Sequence, residues 1–310
     1  EQSKGAQISD HLHFNKCHIL DKNLIQRLLW GSVYGLVIFL CTTCLGSHYI
    51  HQFLGVNIKQ DILYFVLMAF FAIVGAWECV KIMKFGDGYW KWLVVPIGAF
   101  VFYRFAVRFF NHSFFFNFNI SEILGIGLIG IAALTLFKFT HELYFENGKL
   151  IFTIIYAILP FSFALGLPSR NFTLENAFGW EVFMLFILIW SSDSFAYFTG
   201  RLFGKHKMAP KISPKKTWEG FAGGVIFTLI LGFFIEQKMP DMRGNWMVIG
   251  LLVSVFAPLG DLVESQLKRT FGVKDSGNII PGHGGILDRL DSFIICAPIV
   301  YLYFMVDKLF

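Results

Sequence analysis

Between Gly260 and Asp291 the chain reads GDLVESQLKRTFGVKDSGNIIPGHGGILDRLD, with four Asp, one Glu, four Lys or Arg and one His in an otherwise apolar protein. Its first part prolongs an apolar run. There Asp261, Glu264, Ser265 and Lys268 are spaced i, i+3, i+4 and i+7, which places them on one face of a helix. Asp288 and Asp291, again three apart, open the next apolar run, where a helix N-terminus favours their charge. Between the two lies PGHGG, a glycine loop whose backbone can approach a phosphate closely. A merely solvated loop between membrane helices would explain this spacing poorly. Carboxylates for a metal, cations for phosphate and a His-bearing loop are brought together where two apolar helices meet.

Working outward, composition fixes the class. Of 310 residues, 55% are hydrophobic and 15% charged, with a mean hydropathy of +0.60. A membrane span needs about 20 mainly apolar residues, and such runs occur at about 28–47, 61–82, 92–110, 122–140, 150–167, 180–199, 220–236, 245–263 and 292–310. The expectation is an all-α integral membrane protein of about nine transmembrane helices. Residues 1–27 form a polar tail, with no cleavable signal peptide expected, and 28–310 a polytopic domain. Nineteen of the 26 Lys and Arg fall on the tail's side of the membrane. The N-terminus and the charged segment are therefore expected to be cytoplasmic and the C-terminus on the opposite side. No run of basic and aromatic residues suggests nucleic acid as a partner.

Several local patterns have plainer readings. Cys41, Cys44, His48 and His51 are spaced like a zinc site, but on one helix Cys41 and His51 would stand about 15 Å apart at ~1.5 Å per residue. All four cannot reach one ion. GIGLIG at 125–130 matches a dinucleotide fingerprint without the strand before it, so close helix packing is expected there. The same packing is expected at Gly31 with Gly35 and at Gly220 with Gly224. HELYFE, from His141, lacks the second His of a metalloprotease and reads as a solvated loop. Glu78, Arg104 and Arg108 are ionisable groups at membrane depth and so functional candidates by default, though they lie close enough to span ends to snorkel.

A second charged stretch, WSSDSFAYFTGRLFGKHKMAPKISPKKTWEG, runs from Trp190 to Gly220. Asp193 lies inside its apolar part, where an unpaired carboxylate is costly, so a cation or metal partner is expected. Ser213, Lys215, Lys216 and Thr217 group the point charges and hydroxyls that phosphate binding uses.

Both stretches resemble the phosphatidate cytidylyltransferases, the CDP-diacylglycerol synthases. Ser265, Lys268, Arg269, Lys274, Asp275, Gly277, His283, Gly284, Gly285, Asp288, Arg289 and Asp291 stand at that family's spacing. So do Asp193, Ala196, Tyr197, Gly200, Arg201, Phe203, Gly204, Ser213, Pro214, Lys215, Lys216, Thr217, Glu219 and Gly220. The resemblance covers roughly residues 190–291, expected to be the catalytic part; the first five spans match in hydropathy only.

The resemblance implies transfer of a cytidylyl group from CTP to phosphatidic acid, giving CDP-diacylglycerol and pyrophosphate. It implies Mg2+ held by Asp261 and Asp288, with Asp193 or Asp291 as a further ligand or supporting partner, and leaves room for a second cation. Ser213, Lys215, Lys216 and Thr217 are expected at the CTP phosphates. Lys268, Arg269, Lys274 and Arg289 are divided between the remaining phosphates and the lipid headgroup, and His283 donates to a phosphate oxygen. Membrane lipid, a homodimeric partner and a bacterial inner membrane with the site facing the cytoplasm complete the expectation. A CTP-dependent enzyme acting on another lipid, such as a polyprenol kinase or an archaeal-type CDP-lipid synthase, and a lipid transporter are the alternatives.

Overall fold

A computed structural model describes residues 25, 26, 28–111, 120–171, 177–279 and 284–307. Ten helices carry the fold. In order they are α1 (Leu28–Thr42), α2 (Leu45–Leu54), α3 (Gln60–Ile82), α4 (Trp90–Phe110), α5 (Ile120–Lys138) and α6 (Glu146–Ala164), then α7 (Glu181–Phe203), α8 (Trp218–Lys238), α9 (Trp246–Thr270) and α10 (Leu287–Asp307). Among the described residues eight are long and apolar enough to cross a membrane, and a ninth crossing arises if α1 and α2 count as one bent span. Large apolar side chains such as Ile73, Trp92, Phe100, Ile131 and Leu134 face outward, as a lipid-bathed bundle requires. The all-helical membrane architecture read from the sequence holds.

The first apolar run, expected as one span over 28–47, instead turns by 106° between α1 and α2. Its side chains give the cause. Thr42 and Thr43 donate their hydroxyls back to Ile38 O and Phe39 O at 2.6 and 2.8 Å, a pairing that bends helices. Gln60 of α3 then takes over the freed backbone groups, donating to Leu40 O and Cys41 O and accepting from Ser47 N. The cysteine and histidine pattern straddles this corner, and no metal-holding group of three or more His, Cys, Asp or Glu occurs among the described residues.

From α7 to α10 each helix packs against the next, while α5 and α6 pack on other faces of this group and α3 packs on α6. Glycine sets how close the helices come. A Cβ at Gly220 would lie 2.6 Å from Ala196 O, and one at Gly260 would lie 2.4 Å from Asp291 O. Gly260 thus lets α9 touch the backbone of α10 beside the acidic residues of both. The packing expected at Gly220 and Gly224 is present, but Gly35 and, in GIGLIG, Gly127 and Gly130 meet nothing within 4 Å. Only Gly125 of that segment abuts a neighbour, Phe163. Gly31 and Gly35 line an open cleft instead.

Away from the charged segments, Arg108 pairs with Glu122, whose other oxygen accepts the Tyr301 hydroxyl at 2.7 Å. Arg108 is tied into the bundle by this ion pair, where snorkelling was expected. HELYFE forms a short 3-10 turn with exposed His141 and Glu142, as expected of a solvated loop.

Gly260→Ala should lower the thermal midpoint in detergent through overpacking of about 1–3 kcal/mol. Gly127→Ala, with open space around it, should leave the midpoint unchanged or raise it slightly. Equal midpoints for the two variants would contradict the close α9–α10 approach.

Candidate functional site

The catalytic candidates gather at one end of the bundle. There α7, α9 and α3 end, α8 and α10 begin, and a short hairpin pairs Lys207–Ala209 with Ser213–Thr217. On the hairpin Lys215 is exposed, and Lys216 turns in toward the bundle. Glu219 holds the hairpin's base, accepting from Lys205 N at 3.1 Å and from the backbone N–H of His206 at 3.2 Å. Thr217 ends the second strand with its side chain buried and its hydroxyl oxygen accepting Gly220 N–H at 3.1 Å. It caps α8, packed where a Cβ on Gly200 or Gly204 would touch it.

Two ion pairs join the elements. Lys216 Nζ lies 2.7 Å from Asp261 Oδ2 and donates to Pro258 O at 2.9 Å, tying hairpin to α9. Lys268 Nζ lies 2.5 Å from Glu264 Oε2 and 2.6 Å from Asp288 Oδ1, tying α9 to α10. The i, i+4 spacing read from the sequence appears as the Ser265 to Asp261 hydrogen bond of 3.1 Å and the Glu264–Lys268 pair.

Asp288 is fully engaged. Beyond Lys268 on Oδ1, its Oδ2 accepts from Ser276 N, Ser276 Oγ and Gly285 N, each at 2.9 Å. Asp193, Asp261 and Asp291 differ: they lie within electrostatic reach of one another and of Lys216. Asp291 Oδ1 accepts the adjacent Ser292 N–H at 2.6 Å. The four carboxylates read from the sequence as metal ligands do not close on one point, since no metal-holding group of three or more His, Cys, Asp or Glu occurs among the described residues.

A cleft of about 290 Å³ opens on this region, lined by Trp30, Gly31, Tyr34 and Gly35 of α1, Ile189, Trp190 and Asp193 of α7, and Asp288, Arg289 and Asp291 of α10. The Tyr34 hydroxyl donates to Arg289 O at 3.5 Å. Sequence reading missed this wall. Its only signal was the aromatic-bearing helix start before Gly31, which periodicity cannot tell from lipid-facing surface. Of the remaining candidates, Arg269 and Lys274 are exposed nearby, Ser213 is half-buried on the hairpin, and His283 lies outside the described residues.

A helical membrane bundle with carboxylates, paired lysines and a cleft at its charged end is built to receive an anionic substrate beside the bilayer. Residues 25–307 match the model of the Cytidylyltransferase family. A phosphatidate cytidylyltransferase of Haemophilus influenzae is 35% identical over 256 residues, 76% of this chain and 88% of that protein. One of Bacillus subtilis is 53% identical over 126 residues, 40% of this chain and 46% of that protein. One of Staphylococcus saprophyticus is 50% identical over 121 residues, spanning 38% and 46% respectively. The chain belongs to the cytidylyltransferase family. It spans under half the length of the Bacillus and Staphylococcus relatives and most of the Haemophilus one.

Lys268 is the only side chain of its pair group that balances two carboxylates, at 12% exposure against 1% for Glu264 and 10% for Asp288. Its removal strands Glu264 in low dielectric, at a cost of about 3–5 kcal/mol, while Asp288 keeps the three donors on its Oδ2. The Lys216–Asp261 pair, 21% and 34% exposed, is better solvated. Lys268→Met should therefore lower the thermal midpoint in detergent well below that of Lys216→Met, and a reversed order would contradict the burial argument.

Proposed function

We propose that the chain transfers the cytidylyl group of CTP to the phosphate of phosphatidic acid, releasing pyrophosphate and forming CDP-diacylglycerol. The observation that carries this reading is the family match over 25–307, which encloses every charged group of the cleft. The geometry supports it: a lipid reaches the cleft from the bilayer past α1 and α7, and a nucleotide reaches it from the aqueous side past the hairpin. The bias of Lys and Arg supports a cytoplasmic site and N-terminus, and the bacterial relatives support an inner-membrane home.

The donor set suits magnesium. Three carboxylates share the cation Lys216, an excess of negative charge that calls for another cation. Magnesium keeps several waters and is held by one or two carboxylates plus substrate phosphates, so no closed protein cage is needed. Asp261 and Asp291, with Asp193 beside them, would hold it; Asp288, already engaged by Lys268 and three N–H or O–H donors, would order the loop. When bound, the ion neutralises the triphosphate and the developing charge on pyrophosphate.

The phosphatidate oxygen forms a bond to the α-phosphorus of CTP, the bond from that phosphorus to the β-bridging oxygen breaks, and pyrophosphate leaves with the electron pair. The attacking phosphate is already ionised, so no side chain has to remove a proton. Positioning and charge neutralisation carry the rate. Lys215 and Ser213 meet the triphosphate from the hairpin. Lys216, on the same hairpin, meets the same phosphates, and its present partner Asp261 would be among the groups that hold the ion. Arg289, at the cleft wall, faces the lipid phosphate, and Arg269 and Lys274 draw anions toward the mouth.

Purified protein in detergent should release pyrophosphate when given CTP, phosphatidic acid and magnesium together, and fail when any one is omitted or when ATP replaces CTP. Release with a polyprenol acceptor, or none with folded protein, would reject the substrate named. In the same assay Lys215→Ala with Lys216→Ala should raise the KM for CTP about tenfold or more, the loss of one to two charge-assisted contacts. An unchanged KM for CTP would remove both from the nucleotide site. A single-protomer mass by light scattering of the solubilised protein would reject the homodimer reading.

A further inference from the structure

Glu78 belongs to the first half of the chain, outside both charged stretches. It sits near the end of α3 with 0% exposure. Its Oε1 accepts Ile286 N–H at 3.0 Å, and its Oε2 accepts Leu287 N–H at 2.8 Å. These are the free donors at the start of α10, which no turn of that helix can satisfy. The Ser276 hydroxyl lies 3.1 Å from Glu78 Oε2 and 2.9 Å from Asp288 Oδ2, so one proton serves two carboxylates. Glu78 is the N-terminal cap of α10 delivered from another helix, and it holds the turn that begins with Asp288.

Two glycines of the charged segment exist for this contact. A Cβ on Gly277 would lie 2.5 Å from Glu78 Oε1, and its three nearest atoms all belong to Glu78. One on Gly285 would lie 2.4 Å from Glu78 Oε1 and 2.1 Å from Ser276 Oγ. Any larger residue there pushes the carboxylate off the α10 donors.

We propose that Glu78 is a positioning residue for the transfer reaction: through Ile286, Leu287 and Ser276 it sets where Asp288 and, one turn on, Asp291 stand in the cleft. The role rests on the cytidylyl-transfer reading. Glutamine cannot replace it, because its amide NH2 would face N–H or O–H donors that now meet an oxygen.

The test uses the full chain in detergent as wild type, Glu78→Ala, Gly277→Ala and the double variant, with hydrogen exchange of peptides covering 284–290 and pyrophosphate-release kinetics. Glu78→Ala and Gly277→Ala should each speed exchange at 284–290 about tenfold or more, leave α4 and α5 at the wild-type rate, and lower kcat with KM for CTP little changed. In the double variant the losses should fall short of multiplying, since Glu78 is the first group that a side chain at Gly277 displaces. Where Glu78→Ala does not purify, Glu78→Gln takes its place. Wild-type exchange at 284–290, or losses that multiply, overturns the proposal. A wild type that fails to use CTP and phosphatidic acid rejects the substrate reading instead, and the exchange measurement still decides whether Glu78 holds the turn.

Discussion

Every carboxylate drawn into this bundle has to find a partner there. An ionised group moved from water to an apolar interior loses hydration worth many kcal/mol, so it must meet a cation or several hydrogen-bond donors. Lys268 meets Glu264 and Asp288 at once, which is why α9 and α10 cannot slide past one another. Lys216 meets Asp261 and fixes the hairpin to α9. The carboxylates with fewer protein partners, Asp193 and Asp291, line the cleft beside Asp288. Unbalanced charge is concentrated where a substrate carrying its own cation would arrive.

Those pairings depend on helices coming close, and glycine provides the approach. Gly260 precedes Asp261 directly, so the contact of α9 with the backbone at Asp291 also places Asp261 near that cleft carboxylate. Gly200, Gly204 and Gly220 do the same where α7, the hairpin and α8 meet around Thr217. The glycines in the two charged stretches therefore serve helix contact as much as loop freedom. Gly272, at φ +68°, and Gly284, at φ +88°, are where the backbone conformation itself favours glycine.

What was legible in the sequence is what local spacing controls. Hydropathy gave the helices, and the i, i+4 intervals gave the Asp261–Ser265 and Glu264–Lys268 pairs, because neighbours on one helix face need no knowledge of the fold. Long-range contacts were hidden. The corner after Thr42 depends on Gln60, some twenty positions later, whose amide takes over carbonyls that a straight helix would use itself. Arg108 looked like a snorkelling side chain because its partner Glu122 and that partner's own partner Tyr301 come from α5 and α10. The two uses of the acidic residues were also indistinguishable by spacing: Asp288 and Asp291 are one helical turn apart and both line the cleft, yet the first is saturated by donors and the second accepts from the adjacent Ser292 N–H.

The division between the halves of the chain follows from the same cause. The second half carries the groups suited to chemistry, but its helices alone leave donors and walls incomplete. The first half supplies Glu78 at the start of α10, Tyr34 against Arg289 O, and Gln266 of α9 donates to Leu136 O of α5 at 3.3 Å. None of these contacts requires a particular sequence pattern around it, only one side chain at the right height on an apolar helix. A scaffold of that kind can vary widely in sequence while its hydropathy stays fixed, whereas the charged stretches cannot, since there each residue answers to several partners.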